Sequence, residues 1–399
     1  DIGHGLGGAT SNVAVGYGAL DESISGSVNN VAIGKSALGE FKNVGGNNTA
    51  IGNQSSAGLV GHAIGAAGIE NTALGSQSLY TTVDGIGNTA VGFDAMKSGD
   101  CADDNTAIGR NALKVFTGSN ATAVGSGALD ASVSDIHVTA VGYNALGACN
   151  GGDENTAVGG AAGDAITTGN RNTTVGQGSL SAACADDNTA VGKSALNAFT
   201  GSEATAIGSR AADAATTASN LTAIGCDALT RCREGLCNTA VGKDAGSYVY
   251  DGDYGTFIGW AAGAQTTGQQ NTILGAGAGR YATSIDNCIA IGYFALSGAS
   301  GATNNVTGNT SIAIGNYALD ATTTGNNNLA IGYDAGTAIT TGVKNVAIGN
   351  YALESEDGAD GNVAIGYQSL QDQNVANANN TAVGYAAALN LTLGTDSVY

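Results

Sequence analysis

Apolar and polar residues alternate along this chain for only three or four positions at a time, and then the whole pattern starts again. The run Asn-Thr-Ala-(Val/Ile)-Gly recurs in variant form with its glycine at 16, 34, 52, 75, 92, 109, 125, 142, 159, 176, 192, 208, 225, 242, 259, 275, 292, 315, 332, 349, 366 and 384, which is 22 copies. The steps are 16 to 18 residues except for two of 23, from Gly52 to Gly75 and from Gly292 to Gly315, which predict enlarged loops near 53–70 and 297–310. Glycine in every copy, β-branched residues just before it and no apolar stripe at helical spacing argue for short strands and tight turns. A unit this short cannot bury its own apolar face, so successive units must stack as the coils of a solenoid. The expected fold is therefore all-β: a parallel β-solenoid of about 22 coils, one continuous domain over 1–399.

Within each unit, the residues three before and one before the glycine share a face. Thr exchanges with Val, Ile or Leu at the first of these (Thr72, Val31, Ile312, Leu329), which predicts that this face points into the coil. The intervening residue is nearly always Ala, so the opposite face is expected to be smooth and small enough for another sheet to approach closely; a monomer burying these alanines inside a wider coil is the alternative. After the glycine come two variable residues and then Ala-Leu, Ala-Gly or Ser-Leu, read as a second strand whose leucine fills the core (Ala145-Leu146, Ala262-Gly263, Ser369-Leu370). The Asn four before the glycine (Asn48, Asn71, Asn88, Asn105, Asn155, Asn188, Asn238, Asn271) predicts a turn and a ladder of side-chain amides.

Composition fits a narrow core. There are 65 glycines, no proline and only 5% aromatic residues; proline would break the inter-coil pairing almost anywhere. With coils about 4.8 Å apart, this many coils predict a rod of roughly 105 Å. Thirteen basic against 33 acidic residues give a net charge of −20, which repels phosphate backbones and anionic lipid alike, so nucleic-acid partners are not expected. No run of apolar residues is long enough to span a bilayer, and membrane insertion is not expected either.

The candidate chemistry sits in the loops. CADDNTAIG at 101–109 returns as CADDNTAVG at 184–192, and FTGS and a further cysteine (Cys149, Cys232) follow at the same offset of 83 residues, so a five-coil block has been duplicated with its cysteines. Within each block the cysteines are 48 residues or about three coils apart, too far for a bridge, and Cys101, Cys149, Cys184 and Cys288 are candidates for intermolecular thiols. Cys226, Cys232 and Cys237 lie within one coil's length, with Cys232–Cys237 the expected disulfide. No cysteine or histidine spacing fits a zinc site. The paired carboxylates Asp103-Asp104, Asp186-Asp187 and Asp251 with Asp253 offer oxygen ligands for Ca²⁺, with solvated turn carboxylates as the alternative; no other cofactor is expected. GHGLGG at 3–8 fits a dinucleotide glycine pattern only literally, because no strand precedes it and no helix pattern follows. Tyr17, Tyr143, Tyr293, Tyr333, Tyr367 and Tyr385 all follow the repeat glycine directly and predict an exposed aromatic stripe.

NNVAIG at 29–34 and NVAIG at 362–366 resemble the repeat of the YadA head, the trimeric autotransporter adhesin domain, and GNNNLAIGYDAG at 325–336 is similar to repeats of phage and viral tail-fibre proteins. The resemblance covers nearly the whole chain. It implies a left-handed β-roll, three chains side by side, an extracellular, cell-surface or virion-surface location, and a role in attachment to a host receptor or surface ligand. The coils here are longer than in that family, and its coiled-coil stalk and membrane barrel are missing.

The expected function is thus a non-catalytic structural and adhesive fibre whose main partner is itself, as a homotrimer. A subunit that stacks end to end into an extracellular filament is the alternative, motivated by the alternating leucines of LNLTLG at 389–394, which read as an open edge strand. Ice binding is a third class, disfavoured here because the regular threonines are expected to face inward. An enzyme is not expected, since core, ladder and turn absorb every regular position and leave no convergent polar pocket.

Overall fold

The computed structural model describes residues 2–3, 11–21, 28–39, 46–58, 68–81, 85–298, 306–355, 357–372, 379–391 and 394–399. These residues contain no helix and 23 strands, 22 of them three residues long, in a parallel β-solenoid of about 20 turns. Half of each enlarged loop (59–67 and 299–305) and all but Gly3 of GHGLGG lie outside the described residues. The chain divides into two compact units, Asp1–Ser194 and Ala195–Tyr399. In the first, the strands from Val13–Val15 to Thr189–Val191 pair in parallel, each with the next, with Thr over Thr and Ala over Ala (Thr139 on Thr156, Ala140 on Ala157). Its first strand, Ile2–Gly3, instead runs antiparallel to Val13–Val15. In the second unit the strands from Thr205–Ile207 to Thr381–Val383 repeat the parallel pattern.

The strand faces are the reverse of those expected from the sequence. The alanine is the inward residue, fully buried in coil after coil (Ala32, Ala107, Ala157, Ala223, Ala330), while the Thr or Val before it and the Val or Ile after it face outward. The reason is volume. A coil whose strand wall and turn wall lie close together has room for a methyl group from the strand and a leucine from the turn; Thr174 beside Leu180 is the one β-branched residue packed inward against a turn leucine among the described coils, its hydroxyl donating to the Ser179 carbonyl.

The Ala-Leu segment is not a second strand. It is a turn in which the leucine has a left-handed backbone: φ is 49° at Leu146 and Leu229, and 52° at Leu319. The residue two after the repeat glycine is left-handed as well (Asn144, φ 50°; Asp244, φ 59°). The hydrogen bonds show what this achieves: the Asn144 N–H donates to Ser126 of the preceding coil, and the Leu146 N–H donates to Ala162 of the following one. Backbone donors are thereby turned up and down the stack, and each finds a carbonyl without a strand being formed. A left-handed leucine costs about 1–2 kcal/mol, which burial of its side chain offsets.

Core volume is conserved coil by coil. Where leucine stands four after the glycine, the residue seven after it is small: Leu129 with Ser132, Leu146 with Cys149, Leu229 with Cys232, Leu319 with Thr322. Where that position is glycine, a larger neighbour fills the space. A Cβ at Gly163 would lie 3.0 Å from the Cδ1 of Ile166, one at Gly336 2.9 Å from the Cδ1 of Ile339, and one at Gly263 2.2 Å from the Cδ1 of Phe257. Among the described residues Phe116 and Phe199 are the exceptions, standing beside Leu113 and Leu196, and their ring tips lie over glycines: a Cβ at Gly118 or Gly201 would come within 2.7 Å and 2.8 Å of Cζ. Gly263→Leu alone should therefore lower stability by about 1–3 kcal/mol through overpacking, and Gly263→Leu with Phe257→Ala should recover most of it. Denaturation of the two single variants and the double variant checks this; simple additivity would show that the two sites do not share one volume.

Asparagine side chains join the coils, but through the backbone more than through each other. The Oδ1 of Asn155 accepts the N–H of Asn172 in the next coil at 2.9 Å, and its Nδ2 donates to the Gly169 carbonyl at 2.7 Å. Asn71, Asn105 and Asn345 make the same pair of bonds. A second column, six before the glycine, escaped the sequence reading. There the Oδ1 of Asp103, Asp153, Asp186, Asp253 and Asp360 accepts the N–H of the residue at the same position one coil earlier, at 2.7–2.9 Å. Its signal, Asp or Asn two before the ladder asparagine, was present but read as loop.

Candidate functional surfaces

The outer strand face is the most extensive candidate. Parallel sheets are ordinarily covered on both sides; here the inner side is covered by the coil's own turns and the outer side is open. On the first unit it carries Ile33, Leu74, Ile108, Val158 and Val175 as exposed apolar residues, beside a column of half-buried threonines that includes Thr89, Thr106, Thr122 and Thr139. On the second unit Ile207, Ile224, Ile258, Ile365 and Val383 continue the same arrangement, beside Thr205, Thr222, Thr239 and Thr256. Contiguous apolar patches above a few hundred Å² mark interaction surfaces. The expectation that the regular threonines point inward is corrected by this geometry, as is the assignment of the alanine column to a subunit contact: any neighbour meets Thr, Val and Ile.

The second candidate is aromatic. Tyr293, Tyr333, Tyr367 and Tyr385 follow their repeat glycines, as the sequence reading picked out, and Tyr317 and Tyr351, one residue further along, fill the intervening coils. The ring centroids are 5.5, 6.2, 5.5, 5.8 and 5.4 Å apart in that order, the first four contacts edge-on and the last stacked. Tyr17 and Tyr143 are exposed and take no part in this column. A cavity of about 430 Å³ lies in the same unit, lined by Arg280, Tyr281, Phe294, Ser297, Gly298, Asp320 and Ala321. The Arg280 guanidinium is held over the Trp260 ring at 4.6 Å and near Tyr281 at 5.2 Å. Burial pushes the Asp320 carboxyl up to about 6, with Asp334 nearby adding to the effect.

The cysteines are packing residues. Cys101, Cys149, Cys184, Cys232 and Cys288 are buried, Cys226 is half-buried and Cys237 is exposed. The expected Cys232–Cys237 disulfide is not formed: Cys232 points into the core, its Sγ donating to the Gly235 carbonyl at 3.6 Å, while Cys237 faces outward. Cys101, Cys149, Cys184 and Cys288, the expected intermolecular thiols, are each buried within their own coil. Cys288 occupies a ladder asparagine's place, and its Sγ donates to the Gly308 carbonyl at 3.4 Å as the amide would. Desolvation pushes the Cys184 and Cys232 thiols up to about 11 and that of Cys149 higher still, so they stay protonated and unreactive at neutral pH.

The carboxylates expected as calcium ligands are dispersed. Asp103, Asp186 and Asp253 each give one oxygen to a backbone N–H. Asp187 pairs with Arg171 at 2.7 Å, and that guanidinium holds its carboxyl below the usual range. Asp104 takes a left-handed turn position, and Asp251 lies in the loop before the Thr256–Ile258 strand. Among the described residues no three or more His, Cys, Asp or Glu side chains converge as a metal site would require. None of the described helices or other elements is a helix long and apolar enough to cross a membrane.

Leu389 and Leu391 of LNLTLG do not form the edge strand expected of them but lie in a turn and an irregular stretch, and Thr392 and Leu393 lie outside the described residues. The last pairing is made instead by Val398 against Thr381, with the Tyr399 N–H donating to the Thr381 carbonyl at 2.8 Å. A scan against protein-family models and a search of curated proteins found no match to this chain.

Proposed function

We propose that this chain is a non-catalytic structural fibre protein, a β-solenoid that assembles with two further copies of itself through its outer strand faces and is displayed outside a cell or on a virion. The observation that carries this reading is the open outer side of a parallel sheet, lined along both units by Thr, Val and Ile where a solvated face would be polar. A second copy offering the same columns meets it with matching chemistry and the same coil spacing. The trimer, the left-handed coil and an attachment role toward a host receptor or surface ligand rest on the resemblance of the repeat to adhesin heads and tail fibres.

Light scattering on the purified protein tests the assembly. The expected mass is three times the 38.7 kDa of one chain, and replacing Ile108 and Ile258 with glutamate should yield folded monomers. A wild-type protein that stays monomeric at all concentrations would overturn it.

One observation favours a second reading. The outward threonine columns form a regular, flat array of hydroxyl and methyl groups, the kind of surface that can order water for ice binding. Such a protein would be monomeric and would show thermal hysteresis, and either measurement separates the two readings.

A further inference from the structure

The tyrosine column of the second unit has a property that the packing of a shaft does not require. Six phenols in consecutive coils, from Tyr293 to Tyr385, touch ring to ring without a gap, at centroid separations of 5.4–6.2 Å. We propose that this column is a site of one-electron oxidation at which neighbouring tyrosines couple into dityrosine, stitching successive coils together covalently.

Three features support it. The column is open to an oxidant: Tyr385 is 80% exposed, and Tyr293, Tyr333 and Tyr367 are 41–45% exposed. Rings in van der Waals contact can pass a radical from one to the next, so a radical made anywhere along the column finds a partner without diffusion of a second protein. A proton acceptor is at hand, since the Asp334 carboxylate adjoins Tyr333 and holds its phenol above the usual range, while Tyr293 and Tyr317 lie ring to ring at 5.5 Å. The phenols of Tyr317 and Tyr333 are held above the usual range by burial and by neighbouring Tyr and Asp side chains, so each gives up a proton together with its electron.

The chemistry needs an oxidant of one class, a haem peroxidase with hydrogen peroxide. Two phenols each lose one electron and one proton, and the peroxide takes up both pairs to become two waters. The two phenoxyl radicals then form a carbon–carbon bond between ring positions ortho to the oxygens, and the two ortho hydrogens move to oxygen to restore the phenols.

The test uses the whole protein with horseradish peroxidase and hydrogen peroxide, as an equal mixture of isotopically heavy and light chains purified separately. Dityrosine fluorescence and cross-linked peptides are read together. The expected products are same-isotope links between column neighbours, at a yield independent of protein concentration. Tyr351→Phe, which keeps the ring contact and removes the phenol, should abolish the links of residue 351 to Tyr333 and Tyr367 while keeping Tyr317–Tyr333 and Tyr367–Tyr385. Tyr17, Tyr143 and Tyr254 are more exposed than most of the column, at 82%, 65% and 58%. Predominantly mixed-isotope links through those three residues, an unchanged cross-link map in Tyr351→Phe, or no dityrosine at all would each overturn the proposal. The heavy and light chains are unfolded, mixed and refolded together before oxidation, so that links between chains of one assembly would be half mixed-isotope or more and links within one chain would not.

Discussion

Gly142→Ala is expected to be the most disruptive small substitution in the first unit, costing about 3–5 kcal/mol, at the upper end of single-residue effects. Two independent constraints act on the same atom. Gly142 has φ of +144°, a region that side-chain-bearing residues occupy only under strain of about 1–3 kcal/mol. A Cβ there would also lie 2.2 Å from the carbonyl oxygen of Gly159 in the next coil, and that oxygen cannot retreat without opening the ladder. Both constraints recur at Gly125, where the clash is with Gly142 itself. Because each coil rests on its neighbours, the damage should appear as lost hydrogen-exchange protection in Thr139–Val141 and the strands on either side, Thr122–Val124 and Thr156–Val158. Unchanged protection and an unchanged denaturation midpoint would show that the stack tolerates a side chain where its coils approach this closely.

Asn155→Ala ranks second, at about 2–5 kcal/mol. The side chain is fully buried, and its loss strands the Asn172 N–H and the Gly169 carbonyl, each an unsatisfied buried group worth about 1–3 kcal/mol. Asn155→Asp separates the two halves of the bond pair. A carboxylate still accepts from Asn172 but cannot donate to Gly169, and its burial raises its pKa, so the neutral acid is the form that folding favours. Stability of this variant should therefore be lowest at neutral pH and rise as pH falls through that raised pKa. An Asp variant as stable as wild type at neutral pH would mean that the donor half contributes nothing.

These two residue types mark how far the sequence could be read. Glycine at a fixed place in 22 copies and asparagine four before it in 15 of them announced stacked coils, parallel pairing and an amide ladder, because a constraint imposed once per coil leaves the same residue in most coils. The cysteines were legible as copied material and illegible as packing: their small volume beside leucine, as at Cys149 and Cys232, is meaningful only once the residue seven after the glycine is known to face the one four after it. The aspartates six before the glycine were visible as polar loop residues, but their role as acceptors depends on a backbone N–H one coil away.

Which face of the strand is inside was not decided by the sequence. Thr-Ala-Val alternates equally well in either orientation, since the two faces differ only in whether methyl groups or β-branched side chains point inward, and both are apolar enough to bury. Repeat, period, pairing and ladder followed from local chemistry that each coil carries within itself. The orientation was settled by volume across the coil, where buried leucine from the turn stands opposite alanine, and in one coil opposite Thr174, from the strand, and with it the structure decided that the chain's outward surface is one of threonine, valine and isoleucine.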